Sequence, residues 1–146
     1  MNLMLDANDL SALTIAQKAA IVDSLFLMIA ADRKIESAEG EVFNAAVHRI
    51  PWGLDPQIID MVLERARIRM KCTADRLQWQ YWIKEISLSI TAEPIREKIL
   101  GTMSQMALDS GKVDDAERGL LNTFAGAFAL PAERLAEIRA QLVKQP

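Results

Sequence analysis

Met28-Ile-Ala-Ala-Asp-Arg-Lys-Ile-Glu-Ser-Ala-Glu39 returns 78 positions later as Met106-Ala-Leu-Asp-Ser-Gly-Lys-Val-Asp-Asp-Ala-Glu117. The correspondence runs outward in both directions. Ile21, Val22 and Leu25 align with Ile99, Leu100 and Met103, and Val42, Phe43, Val47 and Ile50 align with Leu120, Leu121, Ala125 and Phe128. Each copy reads as a helix, a short acidic turn and a second helix. Two such copies predict an all-α fold of about seven helices in a compact pseudo-twofold bundle. Residues 1–146 are read as one domain, with repeat halves at about 14–72 and 92–144 and an extra helix at about 73–90 between them.

The flanking sequence fills in the helices. Thr14 is a natural N-cap, followed by Ile15, Ala19, Val22, Phe26 and Ile29 at spacings of three and four. The last two turns of this helix are apolar all round, which marks a central helix enclosed by others. Residues 2–12 read either as a short leading helix or as an arm. A second helix from about Ser37 to Arg49 ends at Pro51-Trp52-Gly53, and Asp55-Pro56 starts a third as cap and first helical residue. The extra helix holds Leu77, Trp79, Tyr81, Trp82, Ile83, Ile86, Leu88 and Ile90, with Trp79 and Trp82 spaced to share an inner face. Helices from about Glu93 to Leu108, Asp114 to Phe128 and beyond Pro131 complete the second half.

Composition narrows the class. A chain of 146 residues buries about 68–70% of its unfolded surface without disulfides. Its one cysteine, Cys72, fits a reducing compartment. The N-terminus lacks the basic flank and apolar run of a signal peptide, and no apolar stretch approaches the roughly 20 residues that span a bilayer. A net charge of −3 argues against indiscriminate nucleic-acid binding. The expected location is the cytoplasm, or the periphery of the membrane's inner face.

The duplicated turn resembles that of the TerB-like family of tellurite-resistance proteins, related to the N-terminal region of some membrane-anchored J-domain proteins. The family pattern is Ala-Asp-Gly-x-Ile/Val-acidic-x-x-Glu. Ala31 to Glu39 follows it with Arg33 at the glycine position. Gly111 to Glu117 follows it with Ser110 where aspartate is expected and Asp109 one place early. Arg96-Glu97 ahead of Ile99-Leu100 is similar to the opening of the family's second half. The resemblance spans roughly residues 14–144 and implies a non-catalytic module that binds metal ions or partner proteins in stress responses.

The candidate metal ligands are Asp32, Glu36, Glu39, Asp109, Asp114 and Glu117, with Asp115 beside them. A calcium- or magnesium-like cation takes several such oxygen ligands if packing brings the turns together. Helix capping explains much of the same pattern. Glu36, Glu39, Asp114 and Glu117 fall at helix starts, where negative charge contributes about 0.3–1 kcal/mol. Asp32 and Asp109 fall at helix ends, where turn chemistry accounts for them.

A different function class rests on Arg65, Arg67, Arg69, Lys71 and Arg76, followed by Trp79, Tyr81 and Trp82. Arg65, Arg69 and Trp79 are the candidate contacts of an anionic-surface or peripheral-membrane adaptor. The plain alternative is a solvated basic face over a buried aromatic one. His48 and Cys72 are the only nucleophile–base pair on offer, and no phosphate loop, zinc spacing or nucleophile elbow accompanies them. The expectation is therefore no enzyme, a protein partner, and no resident cofactor beyond a divalent cation.

Thermal unfolding of metal-stripped protein separates ligands from caps. An ion at 100 times its dissociation constant adds about 2.7 kcal/mol, several degrees in Tm. Ion ligation predicts that the Asp32→Asn/Asp109→Asn double variant loses this shift, whereas capping predicts no saturable shift for calcium, magnesium, manganese or zinc.

Overall fold

A computed structural model of the chain describes residues 4–30, 37–109 and 115–144, with backbone alone at 37–39, 42, 109 and 142–144. The described residues form helices α1 (Ala7–Ser11), α2 (Ile15–Ile29), α3 (Ser37–Arg49), α4 (Pro56–Lys71), α5 (Arg76–Ser89), α6 (Glu93–Asp109), α7 (Asp115–Ala127) and α8 (Ala132–Lys144), with no strand among them. Seven match the expected helices. The eighth is α1, which resolves the open choice at the N-terminal end in favour of a short helix. Asp6 and Asp9 cap it reciprocally, and the Lys98 ammonium on α6 holds Asp9 at 2.7 Å.

Local chemistry places the other helix starts. The Thr14 hydroxyl accepts from the Gln17 amide while the Gln17 side chain accepts from Thr14 N–H, a capping box. Asp55 caps α4 with Pro56 at the first turn, as the sequence requires. Asp75 and Gln78 form a further box, so α5 begins at Arg76 rather than 73. Cys72, at the C-cap of α4, and Thr73 end the preceding helix instead.

Helix α2 is the centre of the bundle. It packs against α3, α4, α5, α6 and α7. Ile21, Val22, Leu25, Phe26, Leu27 and Met28 are all buried. One core of apolar side chains then runs from Leu5 to Leu135, and Ile138 with Leu108 forms a small adjoining cluster. Even Lys18 on α2 is only 8% exposed, its ammonium donating to the Trp52 carbonyl at 2.7 Å. The Trp52 indole donates in turn to the Val47 carbonyl, which seals the α3–α4 turn over α2.

Polar clamps join the second half. The Arg96 guanidinium donates to the carbonyls of Ser87, Ile90 and Phe128 and lies over the Phe128 ring. One side chain thus binds the ends of α5 and α7 to α6. Arg134 on α8 reaches Glu97 on α6 with two N–H groups at 2.7 and 3.2 Å. The Arg96-Glu97 pair singled out by its sequence position therefore serves as a double anchor.

The α7 end differs from the turn after α3. Gly53 supplies a positive φ of 72° in the Pro51-Trp52-Gly53 turn. After α7 the left-handed residue is Ala129, with φ 58°. Leu130 N–H bonds back to Ala125 C=O and Ala129 N–H to Gly126 C=O, the Schellman pattern that glycine ordinarily completes. An alanine Cβ in this region costs roughly 1–2 kcal/mol, partly offset by glycine's larger entropy in the unfolded chain. Ala129→Gly should raise stability by about 0.5–1 kcal/mol, measured by urea denaturation.

Candidate functional site

Three helix faces meet around one open groove. Ala16, Ala19, Ala20 and Asp23 of α2 make its floor. Val62, Arg65, Ala66 and Arg69 of α4 form one wall, and Trp82, Glu85, Ile86 and Ser89 of α5 form the other. Each set follows the i, i+3, i+4, i+7 spacing of a single helical face. The space holds about 480 Å³ and opens to solvent. Helix α2 packs against both walls, while α4 and α5 barely approach each other. Arg69 bridges them, with its guanidinium 2.6 Å from the Glu85 carboxylate and 4.7 Å from the Trp82 ring centroid.

The floor carries an unbalanced polar pair. Asp23 sits on the same helix as the buried core, and burial pushes its carboxyl up to about 6. The Trp82 indole, Arg69 and Arg65 work against that rise, and Glu85 adds to it. Trp82 is 1% exposed, and its indole N–H faces the Asp23 carboxyl without completing a hydrogen bond. Arg65 is exposed and makes no ion pair among the described residues. The groove thus presents a desolvated carboxylate and a buried donor below, with Arg65 and Arg69 offsetting only part of the burial.

The candidate residues from sequence fall into different places. Arg65 and Arg69 come together on the α4 wall, but Arg69 is already engaged by Glu85 and Trp82. Trp79 lies apart from them, partly buried beside Ile83 and the α7 residues Ala116 and Leu120. Trp79 and Trp82 both pack against the same core, as their spacing predicts, and only Trp82 also lines the groove. Leu77, Tyr81 and Leu88 on the same helix are exposed. Among the proposed metal ligands, Asp32, Glu36 and Asp114 lie outside the described residues, as do the side chains of Glu39 and Asp109. Glu117 is half-buried in the first turn of α7. The described residues contain no group of three His, Cys, Asp or Glu side chains placed to hold an ion.

His48 pairs with Asp60 at 2.8 Å near the start of α4. Cys72 caps the other end of that helix, 12 residues on and so roughly 18 Å away at 1.5 Å per residue. The structure does not bring this nucleophile–base pair together. Sequence reasoning missed Asp23, although a signal was present: it is a lone carboxylate inside the run Ile21-Val22-Asp23-Ser24-Leu25-Phe26.

A bundle organised around an apolar second helix, with Arg96 and Glu97 anchoring its second half, accords with the resemblance carried by the acidic turns. The family profile described as tellurite resistance protein TerB matches residues 17–140. The chain belongs to the TerB family, which makes it a tellurite-resistance-associated module. Comparison with curated proteins and with solved structures gives no match. No helix among the described residues is long and apolar enough to cross a membrane.

Asp23 makes stability depend on pH. Its folded pKa of about 6 lies above the ordinary value of 3.8. Between these values the folded state binds the extra proton, so stability falls as pH rises from about 4 to 6 and stays reduced above. Asp23→Asn should therefore be more stable than wild type at pH 7 by roughly 2–3 kcal/mol. The difference should vanish near pH 4, as read from urea denaturation across that range.

Proposed function

We propose that the chain is a non-catalytic TerB module that recognises a partner protein through the groove of α2, α4 and α5. The observation that carries this reading is the set of unfilled interactions there. The desolvated Asp23 carboxyl lines that groove, and the buried Trp82 indole N–H beside it completes no hydrogen bond. Ile68, lining the same groove, leaves 54% of its surface in water. Buried polar groups ordinarily find partners, and apolar surface around convergent polar groups is how binding sites are built. Partner recognition is favoured over an anionic-surface role by how Arg69 is held. A phosphate would have to displace the Glu85 carboxylate from it, and Trp79 is on another side of α5.

A photo-crosslinking residue at Ile68, introduced into the chain in its own cells, tests the reading. A discrete protein adduct is expected from Ile68 and not from Asn122, an exposed position on α7 away from the groove. Equal adducts from both positions, or none from Ile68, would count against it. Salt-dependent binding to anionic vesicles in that second case would transfer the assignment to a surface adaptor.

A further inference from the structure

The shape of the groove indicates what kind of segment fits. Its floor is small-residued, with Ala16, Ala19 and Ala20 allowing close approach. Its walls are two helices that both rest on α2 and are tied to each other by the Arg69–Glu85 ion pair. This is the setting of a missing helix in a bundle, with neighbours beneath and on both sides. The walls are helical faces whose backbone groups are bonded within their own helices, so they offer no free edge to an extended strand. An entering helix satisfies its own backbone and needs only side-chain contacts. The available volume of about 480 Å³ takes side chains from such a helix rather than its whole body.

Charge indicates what those side chains are. Arg69 and Glu85 compensate each other. What remains is Asp23 at the floor, a desolvated carboxylate that exposed Arg65 offsets only in part. Resting on the partner-protein reading above, we propose that the groove receives an amphipathic helix of another protein. That helix lays its apolar face between α4 and α5, sends one lysine or arginine down to Asp23 beside the Trp82 indole, and presents a carboxylate to Arg65. A cation at Asp23 keeps the carboxylate ionised while it also accepts from the Trp82 N–H. The other charges facing Asp23 are Arg65 and Arg69 from α4 and Glu85 from α5.

The test uses the full chain and a displayed library of 14-residue helical peptides. The tightest peptides are synthesised and measured by fluorescence anisotropy at pH 7.5 and 5.5. Enriched peptides are expected to carry a basic residue inside their apolar stripe. Asp23→Asn should weaken them about tenfold or more and flatten the pH dependence that wild type shows. Arg65→Glu, a change at an exposed position whose folding is checked by thermal unfolding, should also weaken binding. A glutamate-to-lysine change in the peptide should restore it. Failure to enrich any helical peptide, or affinity indifferent to both variants, would overturn the helix proposal. A groove filled by a second copy of the chain, seen as a dimer by sedimentation and broken by Arg65→Glu, would overturn it too. The Ile68 adduct distinguishes the two levels: if it persists while helical peptides fail, the module binds a partner of another shape.

Discussion

Burying α2 on every side is the constraint to which the rest of the molecule answers. A helix whose Ile21, Val22, Leu25, Phe26, Leu27 and Met28 are all apolar has no face to leave in water, so five other helices close around it. At about 25 cal/mol per Å² of apolar surface removed from water, enclosing such a helix is the main favourable term available to the fold. The polar groups on α2 are accommodated singly. Lys18 donates to the Trp52 carbonyl and Ser24 to the Ala20 carbonyl. Asp23 is the exception, since its carboxyl is left without a strong partner.

The groove follows from that exception. The groove opens where α4 and α5 flank the Ala16–Asp23 face and meet only through Arg69, Glu85 and Trp82. Small alanines permit a gap there, while a larger residue would fill it. The same face carries a carboxyl whose ionised form burial disfavours. A carboxylate near the core costs stability at neutral pH, and a binding partner able to neutralise it recovers that energy on association. Stability and recognition are thus linked through one side chain.

The helices were legible because their signals are local. Thr14, Asp55 and the apolar spacing that follows each define a start and an inward face without reference to the rest of the chain. Endings were less legible. Asp75 with Gln78 shifted the start of α5, and Ala129 performs a turn for which glycine is the usual cue. Arg65 and Arg69 were identified as a pair because they lie four residues apart on one helix. Their surroundings were not, because Glu85 and Trp82 come from a helix that the chain reaches only after another turn. Trp79 illustrates the same limit: spacing placed it inward with Trp82, but not which of the two would line the groove.

By itself, then, the sequence determined an all-helical chain with a central apolar helix, its principal caps and its membership of the TerB pattern. These depend on periodicity and on neighbours within a turn, where the physics is short-ranged. Only the tertiary structure decided that Asp23, Arg65, Arg69, Trp82 and Glu85 share one groove. Their meeting depends on how three helices distant in sequence pack and on where that packing stops short. Burial, which does most to raise Asp23 to about 6 and isolates the Trp82 N–H, is a property of that assembly rather than of any residue.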